Sequence, residues 1–265
     1  MSLLSLFVSG ILAVAPAAPA PTPAAEAPLS IAKEEGVKPV DRVLPRKVLV
    51  FSKTAGFRHD SIPNGIVAIK KLGAANKFEV EATEDSKLFT AEKLAEFGCV
   101  IFLSTTMDVL NDEQQKAFED FIHKGGGYVG IHAATDTEYT WPWYTRLVGG
   151  QFASHPAQQK AAVDLLPAGE KHPSTSFLPK RWERFDEWYN YKRLNPATIK
   201  LLNLDETSYK DGKMGKDHPC AWYHDFDGGR AWYTGLGHTK QSYEEELFLK
   251  HITEGILWAG RMKKD

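Results

Sequence analysis

Gly125 to Asp136 reads G-G-G-Y-V-G-I-H-A-A-T-D: a glycine turn, a short apolar strand, and a histidine where the strand should end. In open α/β sheets, ligands bind beyond the carboxyl ends of the strands, so His132 stands where a nucleophile often sits. Gly130-Ile131-His132-Ala133-Ala134 has the outline of a nucleophile elbow, a sharp strand-to-helix turn that exposes one side chain. The usual G-x-S-x-G pattern is broken twice, by His132 and by Ala134. Without Ser or Cys at the elbow, covalent acyl chemistry has no support there. Imidazole suits a general acid or base, or a metal ligand, because its pKa lies near neutrality.

The same rule selects two further loops. Lys53 to Asp60 follows the first apolar run and carries Arg58 and His59; Ser104-Thr105-Thr106 follows the third. His59 and His132 should therefore approach one rim, with Asp136 four residues beyond the elbow histidine. One such histidine is more readily a hydrogen-bonded structural residue; two at one rim bring a functional reading level with the structural one. His155, His172 and His218 each precede proline, which biases them toward extended loop backbone. His238 lies in Gly235-Leu236-Gly237-His238-Thr239. No spacing matches a short metal motif such as H-E-x-x-H, so a metal site must be assembled from distant segments. His59, His132 and His238 are its candidates, and a divalent metal is the candidate cofactor. Trp182 to Tyr189 sets acids among aromatics. Glu187 there could be desolvated, with a raised pKa, and serve as an acid or base; an exposed acid on an edge strand is the more ordinary reading. Tyr139-Thr140-Trp141-Pro142-Trp143-Tyr144 could stack on a sugar ring or pack on the core as an aromatic lid.

The elements that must position these groups alternate. Lys47–Phe51, Cys99–Leu103 and Tyr128–Ile131 are apolar runs expected of buried parallel strands, with Phe78–Ala82 as an alternating fourth. Between them lie a helix with Pro63 in its first turn, a short helix over Ala91–Glu96 capped by Thr90, and a helix capped by Asn111 and ended by Gly125-Gly126-Gly127. Strand–helix alternation predicts a parallel sheet with helices on both faces. From Gln159 onward, Ala161–Leu165, Glu187–Tyr191, Ile199–Leu202, Ala221–Phe226 and Arg230–Thr234 read as strands with short connections, the last two joined by a hairpin at Asp227-Gly228-Gly229. This half is expected to be antiparallel or mixed, closed by an amphipathic helix over Glu244–Trp258.

The chain has 265 residues, enough to bury about 70 % of its unfolded surface without disulfide or metal support. A formal net charge of −2 with no sustained basic run disfavours a nucleic-acid partner. Cys99 lies in an apolar run and is expected to be a buried free thiol. Leu3 to Ala15 has the length of a signal-peptide core and is too short to span a bilayer. Residues 1–27 therefore read as signal peptide and Pro/Ala tether, 28–45 as linker, and 46–262 as the folded domain. The mature chain is expected to be exported, to the periplasm or beyond, and to have no membrane partner after signal cleavage.

Taken in order, the motifs resemble those of the ThuA-like (trehalose-utilisation) family. The carrying residues are Lys53 to His59, Gly127 to His132, Leu147-Val148-Gly149-Gly150 with Ser154-His155-Pro156, Asp186-Glu187-Trp188-Tyr189, and Trp232 to His238. The resemblance runs from about Arg46 to the C-terminus. It implies an α/β, flavodoxin-like, doubly wound and mostly parallel sheet of the class I glutamine-amidotransferase type, with His132 at those enzymes' nucleophile position. It also implies a pocket containing Arg58, His59, His132, Asp136, His155, Glu187 and His238. The expected function is the processing of a small carbohydrate, a disaccharide or 3-keto-glycoside, by isomerisation or cleavage. His132, Glu187 and His59 would be catalytic; Arg58, Asp136, Tyr139, Trp141, His155 and His238 would bind substrate. The alternative is a non-catalytic carbohydrate-binding protein using the same pocket; an amidase is disfavoured by His132.

Overall fold

The computed structural model describes residues 29, 30 and 32–262. The expected signal peptide and tether lie outside the described residues. No described helix is long and apolar enough to cross a membrane. In chain order the strands are β1 (Lys47–Phe51), β2 (Glu79–Thr83), β3 (Cys99–Leu103), β4 (Gly127–Ile131), β5 (Gln151–Ser154), β6 (Gln159–Leu165), β7 (Arg181–Asp186), β8 (Asn190–Lys192), β9 (Ile199–Asp205), β10 (Pro219–Phe226) and β11 (Gly229–Thr234). The helices are α1 (Ile62–Asn76), α2 (Ala91–Leu94), α3 (Asp112–His123), α4 (Pro142–Val148) and α5 (Glu246–Ala259).

Nine strands form one sheet in the order β2-β1-β3-β4-β11-β10-β9-β6-β7. The first five run parallel and the pairs from β11 to β7 are antiparallel. β5 and β8 pair separately. The antiparallel strands leave the parallel core after β4, and the chain returns through β11, which lies parallel to β4. The β10–β11 turn has Phe226 opposite Gly229, with Asp227 and Gly228 at φ 48° and 84°. That is the left-handed backbone a two-residue hairpin needs.

Alternation along the buried strands sorts the core into two layers. Val48, Val50, Ile101, Leu103 and Val129 pack with Ile69 of α1 and Ile252 and Ile256 of α5. Leu49, Phe51, Val100, Phe102 and Tyr128 pack on the opposite face with Leu94 of α2, Phe118 and Ile122 of α3, and Leu147 of α4. Helices therefore cover both faces of the parallel sheet. Asn111 closes a capping box on α3, its side chain accepting from Gln114 N at 3.0 Å. Thr90 caps α2, which ends at Leu94 rather than Glu96.

The strand expected over Glu187–Tyr191 is corrected. β7 ends at Asp186, 187–189 are irregular, and β8 begins at Asn190. The cause is an inverted pattern: Trp182, Arg184 and Asp186 point inward while Phe185 is 48 % exposed. The residues 34–40, before the domain, are tied to the β10–β11 hairpin. Glu35 bridges Phe226, and Val40 N donates to Gly228 O at 2.8 Å.

Candidate active site

Four strand ends supply the site. His132 begins a short 3₁₀ turn straight after β4 and sits at φ 52°. A left-handed conformation costs a non-glycine residue about 1–3 kcal/mol and persists only where its surroundings over-determine it. Here they do: Tyr233 Oη donates to His132 O at 2.8 Å and meets Thr135 Oγ1 at 3.1 Å. Gly130 is required beneath the turn, because a Cβ there would lie 2.8 Å from Tyr128 Oη. The elbow is thus built as the sequence suggested, with imidazole at its tip.

His59 comes from the loop after β1, His238 from the loop after β11, and Glu187 from the residue after β7. One ligand-type atom from each of His59, His132, Glu187 and His238 lies within 4.8 Å of the others. His132 is fully buried, and His59 and Glu187 are 4 % and 6 % exposed. His132 Nδ1 donates to Gly235 O at 2.9 Å, which leaves Nε2 turned toward the other members of the cluster. That nitrogen faces His238 Nδ1 at 3.0 Å and Glu187 Oε2 at 3.4 Å. His238 Nδ1 in turn lies 3.0 Å from Glu187 Oε2. His59 stands edge-on to both rings, 4.8 Å from His132 and 5.1 Å from His238 between centroids, and its Nδ1 is buried with no partner.

Charge is set by these contacts. Burial pushes Glu187 upward, as its aromatic neighbours suggested, but hydrogen bonds from His132 and His238 outweigh burial and hold it well below the ordinary range. It is therefore an anion, not the raised carboxylic acid expected. Burial opposes a charge on His238, yet its hydrogen bond to Glu187 prevails and raises it. Burial, then the neighbouring His132 and His238, push His59 down to about 2, so it stays neutral.

His155 and Asp136 flank the cluster. His155 Nδ1 lies 3.3 Å from Glu187 Oε1 and 2.9 Å from Pro156 O. Tyr139 Oη donates to Asp136 Oδ1, and burial raises the Asp136 carboxyl despite that bond. Two expected members stand elsewhere. Arg58 forms a two-pronged pair with Glu84 at 3.0 and 2.6 Å, turned to the surface. Trp141 is buried in the core, stacked at 5.1 Å on Trp143, with its Nε1 donating to Glu119. The aromatic run after the elbow is therefore core from Trp141 onward, because Trp141, Trp143 and Tyr144 all fill the layer beneath α4.

Sequence reasoning missed three supporting residues. Tyr189 covers the His132 ring at 4.4 Å. Gln158 Nε2 lies 2.7 Å from His238 Nε2. Asp186, fully buried, accepts from the backbone N–H of Glu187 (3.0 Å), Gly237 (2.9 Å) and His238 (3.0 Å), and pairs with Arg184 at 3.0 Å. One carboxylate thus fixes the backbone of two cluster residues. The available signal was an acid placed directly before Glu187 in an otherwise aromatic segment.

No curated protein matches this chain. Among solved structures it is similar to a ThuA-like protein from Bacteroides uniformis, at TM-score 0.70 and 24 % identity over 88 % of this chain and 95 % of that one. A ThuA-like protein from Parabacteroides merdae gives TM-score 0.65 and 21 % identity over 83 % and 91 %. A β-galactosidase from Bacillus circulans gives TM-score 0.56 and 10 % identity over 83 % of this chain but 32 % of that one. At these identities the likeness is one of fold. A family model described as trehalose utilisation matches residues 47–259. The elbow histidine, the converging rim and that match agree: the chain belongs to the ThuA (trehalose utilisation) family, whose name ties it to carbohydrate use.

Proposed function

We propose that the protein is a divalent-metal-assisted enzyme acting on a disaccharide or 3-keto-glycoside, by isomerisation or cleavage that begins with proton removal beside a carbonyl. The observation carrying this reading is the convergence of His59, His132, Glu187 and His238 within 4.8 Å. Three imidazoles and one carboxylate form a donor set suited to a borderline divalent ion such as zinc. The His59 nitrogen without a partner and the carbonyl on His132 Nδ1 fit that use, since metal-bound histidines characteristically donate their other N–H to such a group. Turning the Gln158 amide would present its oxygen to His238 Nε2–H and free His238 Nδ1 as a donor atom. When bound, the ion would supply Lewis-acid polarisation of a substrate carbonyl or hydroxyl.

With Glu187 and His132 in the donor set, the base role passes to His155. Its Nδ1 meets two acceptors, Glu187 Oε1 and Pro156 O, so the ring proton belongs there. Its Nε2 keeps a lone pair on a side chain that is 45 % exposed. His155 takes the proton from carbon, and the C–H electron pair becomes the enolate. In cleavage, the enolate re-forms the C=O, its C=C electrons form a new double bond to the carbon that carries the glycosidic oxygen, that C–O bond breaks with its pair going to oxygen, and Asp136, raised by burial, gives a proton to the leaving oxygen. Tyr139 holds Asp136 in place.

The test is 3-ketotrehalose in D₂O with zinc, manganese or nickel supplied. Deuterium uptake beside the carbonyl, lowered about 100-fold or more in His155→Ala, is expected. Neither exchange nor consumption with any of these metals would contradict the proposal, and sugar binding without turnover would favour the non-catalytic alternative.

A further inference from the structure

Phe57 and Met107 belong to two loops that are bonded to each other, Phe57 with its ring on His59 of the donor cluster and Met107 beside the neighbouring Gly56. Phe57 is 67 % exposed and Met107 47 % exposed. The Phe57 ring stands 4.9 Å from the His59 ring, edge to face at 83°. Their backbones are locked together. Thr54 bridges Thr106, Ala55 N donates to Thr106 O at 2.9 Å, Gly56 N to Thr106 Oγ1 at 3.2 Å, and Thr106 Oγ1 to Phe57 O at 2.9 Å. Met107 is held at φ 60° by its N–H to Asp136 O at 2.7 Å and by Glu138 N to its own carbonyl at 3.2 Å. The Met107 side chain lies over Gly56, where a Cβ would come within 2.6 Å of Met107 Cγ. A methionine on left-handed backbone runs against stability. Local strain held in place by surrounding bonds is a mark of functional sites.

The neighbouring chemistry identifies what this surface would meet. The ligand must offer an apolar face to Phe57 and Met107 and polar edges to His59 and the groups behind it. An alkyl chain would leave those polar groups unmatched. A small anion would find the loop's cations engaged: Arg58 is paired with Glu84, and Lys53 Nζ is bonded to Ser86 Oγ and Val109 O, each at 3.0 Å. A pyranose ring has the required form, C–H groups on one face and hydroxyls at its edge. We propose that Phe57, flanked by Met107, is the platform on which the C–H face of the substrate sugar stacks, and so a specificity-determining residue. This rests on the carbohydrate reading of the site. It assigns to Phe57 the part that the sequence offered to Trp141.

Both side chains are at the surface, so substitution should leave the fold intact. The experiment measures dissociation constants for trehalose and 3-ketotrehalose, together with bound zinc, in the wild type and in Phe57→Ala, Phe57→Trp and Met107→Ala. Loss of stacked area should weaken sugar binding about 10-fold in Phe57→Ala and about 3-fold in Met107→Ala. Phe57→Trp should bind within about 3-fold of the wild type, because it keeps an aromatic face. Zinc content should not change. Sugar binding that is equal in the wild type and Phe57→Ala would overturn the platform alone. Zinc binding without sugar binding in the wild type would overturn the carbohydrate reading, and the platform with it.

Discussion

His132 and His251 are equally hidden, each with no exposed surface, and the same strand end holds both. Thr234 Oγ1, at the end of β11, meets His251 Nε2 at 3.1 Å, and the carbonyl of the next residue, Gly235, accepts from His132 Nδ1 at 2.9 Å. Each ring also uses one nitrogen to donate to a carbonyl, His251 Nδ1 to Ser174 O at 2.8 Å. They differ in what the second nitrogen meets. For His251 it is a hydroxyl that can donate, and the local network closes. For His132 it is another imidazole and a carboxylate, and the cluster converges without closing. His132 also sits on left-handed backbone, while His251 lies within α5. Burial of a histidine therefore says little about function; convergence of acceptors on strained backbone says much more.

That contrast can be broken at four points. The largest effect is expected from Glu187→Gln, which keeps the shape of the side chain but removes the charge the histidines face. Turnover of 3-ketotrehalose should fall about 1,000-fold, read by steady-state kinetics. Next comes Asp186→Asn, which disturbs the acceptor shared by Glu187, Gly237 and His238. Zinc affinity should fall about 10- to 100-fold, the cost typical of losing a group that orients ligands, as read by competition with a chelator. Unchanged zinc affinity in a folded Asp186→Asn chain would remove Asp186 from the account.

On the structural side, His251→Gln should lower unfolding free energy by about 1–3 kcal/mol while zinc content per folded molecule stays the same. The acid dependence sharpens this. Burial pushes His251 down to about 3, so the folded state holds it neutral. Stability from this group is present above its unfolded pKa of about 6.5 and is lost as pH falls from there toward 3. Denaturant titrations across that window should show a steeper loss in the wild type than in His251→Gln. The smallest effect is expected from Cys99→Ala and Cys220→Ala. Both thiols are free and buried, and burial raises both, Cys220 to about 12. Turnover per folded molecule should stay within about 2-fold, since neither can serve as a thiolate.

The parallel core was legible because β1, β3 and β4 are buried on both faces and read as unbroken apolar runs. His59 and His132 were legible as rim residues for the same reason, since a clear strand end fixes where its loop begins. β7 was not. Its inward positions include Arg184 and Asp186, an ion pair with both partners buried, and a hydrophobic pattern cannot find a strand whose core face is charged. The break after Asp186, and with it the placement of Glu187, was lost with that strand. α4 was hidden in the run Tyr139–Tyr144, where closely spaced aromatics suggested a binding face. Their burial comes from packing between α4 and α3, a long-range fact with no local signature. Arg58 was misplaced because its partner, Glu84, follows β2 and is adjacent only through the β1–β2 pairing.

The central claim is that His59, His132, Glu187 and His238 form a metal centre. Its most direct test is elemental analysis of the purified chain beside His132→Ala, both equilibrated with a divalent-metal mixture and freed of excess ions. About one equivalent of tightly held metal in the wild type, lost in His132→Ala while the fold is retained, is the predicted result. No retained metal in the wild type, or equal retention in the variant, would contradict it.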